Sequence, residues 1–128
     1  MPGETDLQTL LRSLRPVLRE GEYVFCSTAT PPAALSPVCR FVEDEGVTLI
    51  LRRADAEGAG LDYEYVCRML TLTVHSSLAA VGLLAAVTGR LAAAGISVNA
   101  VSAFHHDHLF VPADRTDEAM RILAAPPP

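Results

Sequence analysis

The feature that most constrains this chain is a change of hydrophobic period at residue 75. From Arg68 to His75 the residues alternate, with Leu70, Leu72 and Val74 on one face and Thr71, Thr73 and His75 on the other. Such alternation specifies a half-buried strand. Directly after it, Ser76 or Ser77 can cap a helix running from Leu78 to Ala94, in which Leu78, Val81, Leu84 or Ala85, Thr88, Leu91 and Ala92 recur at helical spacing. Gly95 is the stop signal. Two further strands, Ile96 to Phe104 and His108 to Val111, are joined by a tight His105-His106-Asp107 turn, and Pro112 ends the hairpin. A last helix starts at Asp114 or Thr116 and carries Ala119, Met120 and Leu123. Strand, helix, strand, strand, helix is the βαββα part of a split βαβ, or ferredoxin-like, unit.

The first half, helix, strand, strand, short helix and strand, fits a degenerate version of the same unit. Leu7, Leu10, Leu11, Leu14 and Leu18 are spaced for a helix over residues 6–20, with Thr5 or Asp6 as N-cap, Gly21 as stop, and Pro16 kinking or splitting it. A strand from Glu22 to Thr28, a Pro- and Ala-rich loop from Thr30 to Pro37, and a strand from Val47 to Arg52 follow. Val38 to Glu45 fits either a short helix or an irregular turn, and the acidic run Glu43-Asp44-Glu45 reads as a solvated face. An acidic helical turn at Ala54 to Glu57, a glycine break at 58–60 and a strand from about Tyr63 complete it. At 128 residues the chain is short for two ordinary domains. The element order therefore predicts an α+β protein of two minimal units, residues 1–64 and 65–128.

Half of the residues are hydrophobic, which suits a folded core, and the formal charge is -5. All ten basic residues are arginine, scattered without a basic stripe. That balance argues against nucleic acid or an anionic membrane as partner, and the missing lysine removes Schiff-base and P-loop chemistry. The apolar run from Leu78 to Ala94 is interrupted by Gly82, Thr88, Gly89 and Arg90 and falls short of a membrane span. No basic and apolar leader opens the sequence, and three cysteines, Cys26, Cys39 and Cys67, are an odd, widely spaced set that fits buried, reduced thiols. The expectation is a cytoplasmic protein.

The stretch Val74-His75-Ser76-Ser77-Leu78-Ala79-Ala80-Val81-Gly82-Leu83, with Leu91-Ala92, Gly95-Ile96-Ser97 and His105-His106-Asp107-His108-Leu109-Phe110-Val111-Pro112, resembles a bacterial family of small tandem ACT-domain proteins. Leu14-Arg15-Pro16-Val17-Leu18, Gly21-Glu22-Tyr23-Val24-Phe25 and Gly46-Val47-Thr48-Leu49-Ile50 look like that family's N-terminal half. The resemblance implies tandem ferredoxin-like (βαββαβ) domains, antiparallel sheets with helices on one face, and a non-catalytic regulatory module that binds an amino acid or related metabolite. The layout is similar to that of the CASTOR arginine sensors. It implies a ligand region from His75 to Leu83, with Gly82 where backbone approaches ligand; this sequence has Ala80-Val81 where an acidic or Asn residue and a Pro are more usual.

The residues themselves are compatible with that implication. A helix N-terminus suits a carboxylate, and Ser76 and Ser77 add hydroxyls. Asp107, with Asn99 second, could meet an ammonium group. The candidate ligand residues are thus His75, Ser76, Ser77, Val81, Gly82, Leu83, Asn99 and Asp107. Blander readings stand beside them: the serines as a simple helix cap, the histidine turn as a pin for its hairpin. Gly82 inside a helix costs about 1 kcal/mol relative to Ala, which close helix approach or close ligand approach would offset. A metal at the His105-His106-Asp107-His108 turn, with His75 as further ligand, is the alternative chemistry, although at most His106 and His108 share a face. Neighbouring His75 and Ser76 make no catalytic triad. The helix after Ser77 is apolar nearly all round, which predicts a homodimer or docked halves, or a protein-interaction subunit that needs no ligand. No cofactor is called for.

Overall fold

The computed structural model describes residues 3–125. Contacts group them into two compact units, one of residues 20–67 and the other of the residues up to Arg19 together with those from Arg68 on. The halves expected from element order meet near the start of strand β5 (Glu64–Leu72), which contributes its first residues to one unit and its last to the other.

In the 20–67 unit the strands are β2 (Tyr23–Thr28), β3 (Cys39–Glu43), β4 (Gly46–Arg52) and the start of β5, ordered β3-β4-β2-β5. The β2–β4 register runs from Tyr23↔Arg52 to Thr28↔Val47, and β3–β4 from Cys39↔Ile50 to Glu43↔Gly46. Between Tyr23↔Cys67 and Phe25↔Glu64 the β2–β5 register slips, and there Tyr65 takes a positive φ of 64°. Val24, Cys26, Leu49 and Leu51 form the core with Ala56 of helix α2 (Arg53–Gly58). The segment Val38 to Glu45 is neither short helix nor irregular turn. Most of it is strand β3, turned back through Asp44 and Glu45 onto β4. Its local pattern hid this because Arg40, Phe41, Val42 and Glu43 are all exposed, so pairing with β4 rather than a buried face defines the strand.

The other unit contains helix α1 (Leu7–Ser13), strand β1 (Pro16–Leu18), the end of β5, helix α3 (Leu83–Ala93), strands β6 (Asn99–Ser102) and β7 (Asp107–Pro112), and helix α4 (Thr116–Ala124) after a 3-10 turn at Ala113–Arg115. Its strand order is β1-β5-β7-β6. The helix expected over 6–20 is confined to α1, whose N-cap Asp6 accepts the Thr9 N–H at 3.0 Å. Pro16 does more than kink it. It opens an edge strand paired Pro16↔Leu72 to Leu18↔Leu70, where its missing N–H is harmless. Leu10 and Leu14 thereby enter one core with Leu70, Leu72, Val87, Leu91, Leu109, Val111 and Leu123.

Helix α3 starts at Leu83, not at Leu78, and neither Ser76 nor Ser77 caps it. Gly82 is the N-cap, with φ 97°, a left-handed conformation that a helix cannot pass through. Ser77 Oγ instead accepts the Ala79 N–H at 3.1 Å in a turn. Leu83, Val87 and Leu91 form the buried face of α3, while Ala85, Gly89, Ala92 and Ala93 are exposed. Among the described residues only one side of this helix is covered.

Candidate functional site

The cleft of interest lies where the loop after β5 meets the start of α3 and the β6–β7 hairpin. The beginning of that loop is held from behind by the amino-terminal segment. Glu4 bridges Ser76 in parallel, with the Glu4 N–H donating to the His75 carbonyl and the Ser77 N–H to the Glu4 carbonyl, both at 2.9 Å. Gly3 lies so close that a Cβ there would stand 2.5 Å from Ser76 C and Ser77 N. The end of the loop is Gly82, where an added Cβ would come within 3.2 Å of Leu7 Cδ2. From Gly82 onward the chain is helical, and no side chain caps the N–H groups of the first turn of α3.

The facing wall is the hairpin, in which Ser102 pairs with Asp107 and the Ala103 N–H donates to the His106 carbonyl at 3.0 Å. Asp107 is the first residue of β7, and only 8% of it is exposed. Its carboxylate has no hydrogen-bond donor among the described residues. The cleft encloses about 140 Å³ and is lined by Ser76, Ser77, Gly82, Leu83, Ser102 and Asp107, with aliphatic carbon filling the remainder.

Five of the eight sequence candidates, Ser76, Ser77, Gly82, Leu83 and Asp107, therefore line one cleft. Three do not. Val81 is 82% exposed, Asn99 is exposed opposite Phe110 at the far end of β6, and the His75 ring packs against that of His105, centroids 5.2 Å apart. Ser102, Ala103 and Ala85 line the cleft as well. Ser102 enters through the hairpin register, directly across from Asp107, and Ala85 through the first turn of α3; neither placement shows in a local sequence pattern.

The histidines form a chain of neighbouring rings, His75 to His105 and His106 to His108, the latter pair 6.4 Å apart. Among the described residues no three His, Cys, Asp or Glu side chains converge as metal ligands would. His108 is tied inward: Arg19 Nε donates to Thr71 Oγ1 at 3.0 Å, and Thr71 Oγ1 lies 2.9 Å from His108 Nδ1. A hydroxyl already accepting from Arg19 gives its own proton to Nδ1, so this arrangement suits a neutral imidazole. Burial, with His106 and Arg19 nearby, lowers the His108 pKa below the usual histidine value, while Asp107 opposes the shift. In the 20–67 unit a wider, shallower groove of about 370 Å³ runs beside Arg52 and Arg53, but Arg53 is already paired with Glu22 at 3.0 Å and Glu57 at 3.7 Å.

Comparison with known proteins agrees with the fold. Residues 2–68 match a family model described as an ACT domain, and residues 64–125 match a second ACT-domain model. A Vibrio cholerae protein of unknown function, described as a possible transport protein, is similar at 41% identity over 91% of this chain and 92% of that one, with a TM-score of 0.84. An Agrobacterium tumefaciens protein shares 18% identity over 87% of each chain at a TM-score of 0.68. The regulatory subunit of aspartate kinase from Thermus flavus shares 10% identity over 85% of this chain and 94% of its own, with a TM-score of 0.62. At those lower identities the likeness is one of fold. No curated protein matches the chain.

Proposed function

The chain belongs to the ACT-domain family, and from that premise we propose that it is a non-catalytic regulatory module whose cleft beside Gly82 binds a free amino acid. One observation carries the reading: the uncapped start of α3 and Asp107, an acidic residue only 8% exposed, line the same small cleft. A helix N-terminus presents N–H groups and partial positive charge to a carboxylate. A carboxylate without a donor among the described residues is free to take an ammonium group in a charge-assisted hydrogen bond. A zwitterion supplies both charges in one molecule. The ACT-domain matches support a regulatory role, and the three unpaired thiols support a cytoplasmic setting.

Leu78 and Phe104 are 68% and 65% exposed and with Val81 leave apolar surface on the loop and turn that flank the cleft. A homodimer that covers this surface would also close the site. The same patch favours a second reading, a protein-interaction subunit without a ligand, which co-purification of a different chain in equal amount would support. The test of the first reading is a thermal-shift screen of the twenty amino acids on the full chain. A ligand at a hundredfold its Kd stabilises by about 2.7 kcal/mol, which is readily seen. The assignment fails if no amino acid raises Tm, or if Gly82→Val leaves a detected response unchanged.

A further inference from the structure

We infer that the side chain of the bound amino acid is small, uncharged and hydroxyl-bearing, an inference that rests on the amino-acid reading of the cleft. Three features of the lining carry it, none of them used to place the ammonium or carboxylate. The first is size: about 140 Å³ is well below the roughly 300–1,000 Å³ of cavities that enclose drug-sized ligands, and Leu78, Leu83 and Leu84 take up part of the wall. The second is charge. None of the ten arginines lines the cleft, so an acidic side chain has no counter-ion and meets Asp107 as a like charge. Asp107 is also the single carboxylate in the lining, and once engaged by the ligand's ammonium it leaves nothing for a basic side chain.

The third feature is the hydroxyl content. Ser76, Ser77 and Ser102 all line the cleft, and of these only Ser77 Oγ has a partner among the described residues, the Ala79 N–H. Ser76 and Ser102 lie on opposite walls, and each carries a hydroxyl able to donate and to accept. A ligand hydroxyl that reaches these serines gains a hydrogen bond that an analogue lacking it cannot make.

Isothermal titration of the full chain with L-serine, L-threonine, L-alanine, L-aspartate, L-arginine and L-phenylalanine tests the inference. Serine or threonine binds tightest, alanine at least tenfold more weakly, and the other three give no heat at the same concentration. Ser102→Ala, at an exposed strand position, lowers serine affinity about tenfold and leaves alanine affinity unchanged, the effect of one hydrogen bond. A tightest ligand that is charged or aromatic, or equal affinity for serine and alanine, overturns the inference while the amino-acid reading stands. If none of the twenty amino acids binds, the reading of the cleft falls and takes the inference with it.

Discussion

Asp107 is held in a state that the ligand-free protein gains little from. The Asp107 carboxylate has no hydrogen-bond donor among the described residues, so it adds little to the fold unless it serves binding. Asp107→Asn therefore leaves the Tm of the free protein unchanged or higher, and abolishes the ligand-induced shift, since losing one member of a desolvated charge pair costs about 2–5 kcal/mol. A lower Tm for the free variant would show that Asp107 is structural. His108 makes a pH prediction. Its folded pKa lies below the ordinary value, so the unfolded chain takes up the proton first and stability falls as pH drops below about 6.5, until the lowered folded pKa is passed. Tm measured from pH 7 to pH 5 falls more in the wild type than in His108→Gln. The Cys67 thiol donates to the Tyr23 carbonyl at 3.2 Å and burial pushes its pKa up to about 12; burial also raises that of Cys26. Only the half-buried Cys39 reacts with a thiol reagent in the native protein. Asp107 was legible in the sequence because it stands in a polar tetrapeptide between two apolar runs. Ser102 was not, because its place in the cleft is fixed by a register across the hairpin.

The element that the sequence misplaced is the start of α3. Leu78 and Val81 fit the helical spacing, and Ser76 and Ser77 fit a cap, so against the cost of Gly82 these signals favoured a helix five residues too long. The deciding fact is the left-handed turn at Gly82, seated on Leu7, and a contact between residues 7 and 82 leaves no trace in a local pattern. Two glycines of this region respond oppositely to the same change. Gly82→Ala forces a left-handed conformation on a residue with a Cβ and costs about 1–2 kcal/mol. Gly89→Ala, in the middle of α3 with open space around it, stabilises by up to about 1 kcal/mol. Denaturant midpoints of the two variants decide the matter. Gly3 acts on the same loop from behind: Gly3→Ala drives a methyl into the Ser76–Ser77 backbone, detaches the bridge to Glu4, and speeds hydrogen exchange of the Ser77 amide.

At the scale of the whole chain, element order alone conveys a βαββα unit in the second half and hides its fourth strand. That strand is β1, three residues opened by Pro16, and it pairs with residues more than fifty positions later. A helix breaker was all that the local sequence could show at Pro16. With β1 comes α1, whose Leu10 and Leu14 are buried in the same core as Leu70, Leu72 and Leu91. The two matched family segments overlap over residues 64–68, at the start of β5, so a cut there follows the boundary drawn from sequence. Such a cut severs the second unit from its own edge strand and from two core leucines. The fragment 65–128 is therefore unfolded or molten by circular dichroism and amide NMR, and a peptide of residues 1–19 supplied in excess restores a cooperative transition. In the intact chain, Leu10→Ala, which removes a single buried side chain from that core, costs about 2–5 kcal/mol. A fragment 65–128 that unfolds cooperatively without the peptide, at a Tm near that of the full chain, would show that residues 1–19 are an attachment to this unit and not a part of it.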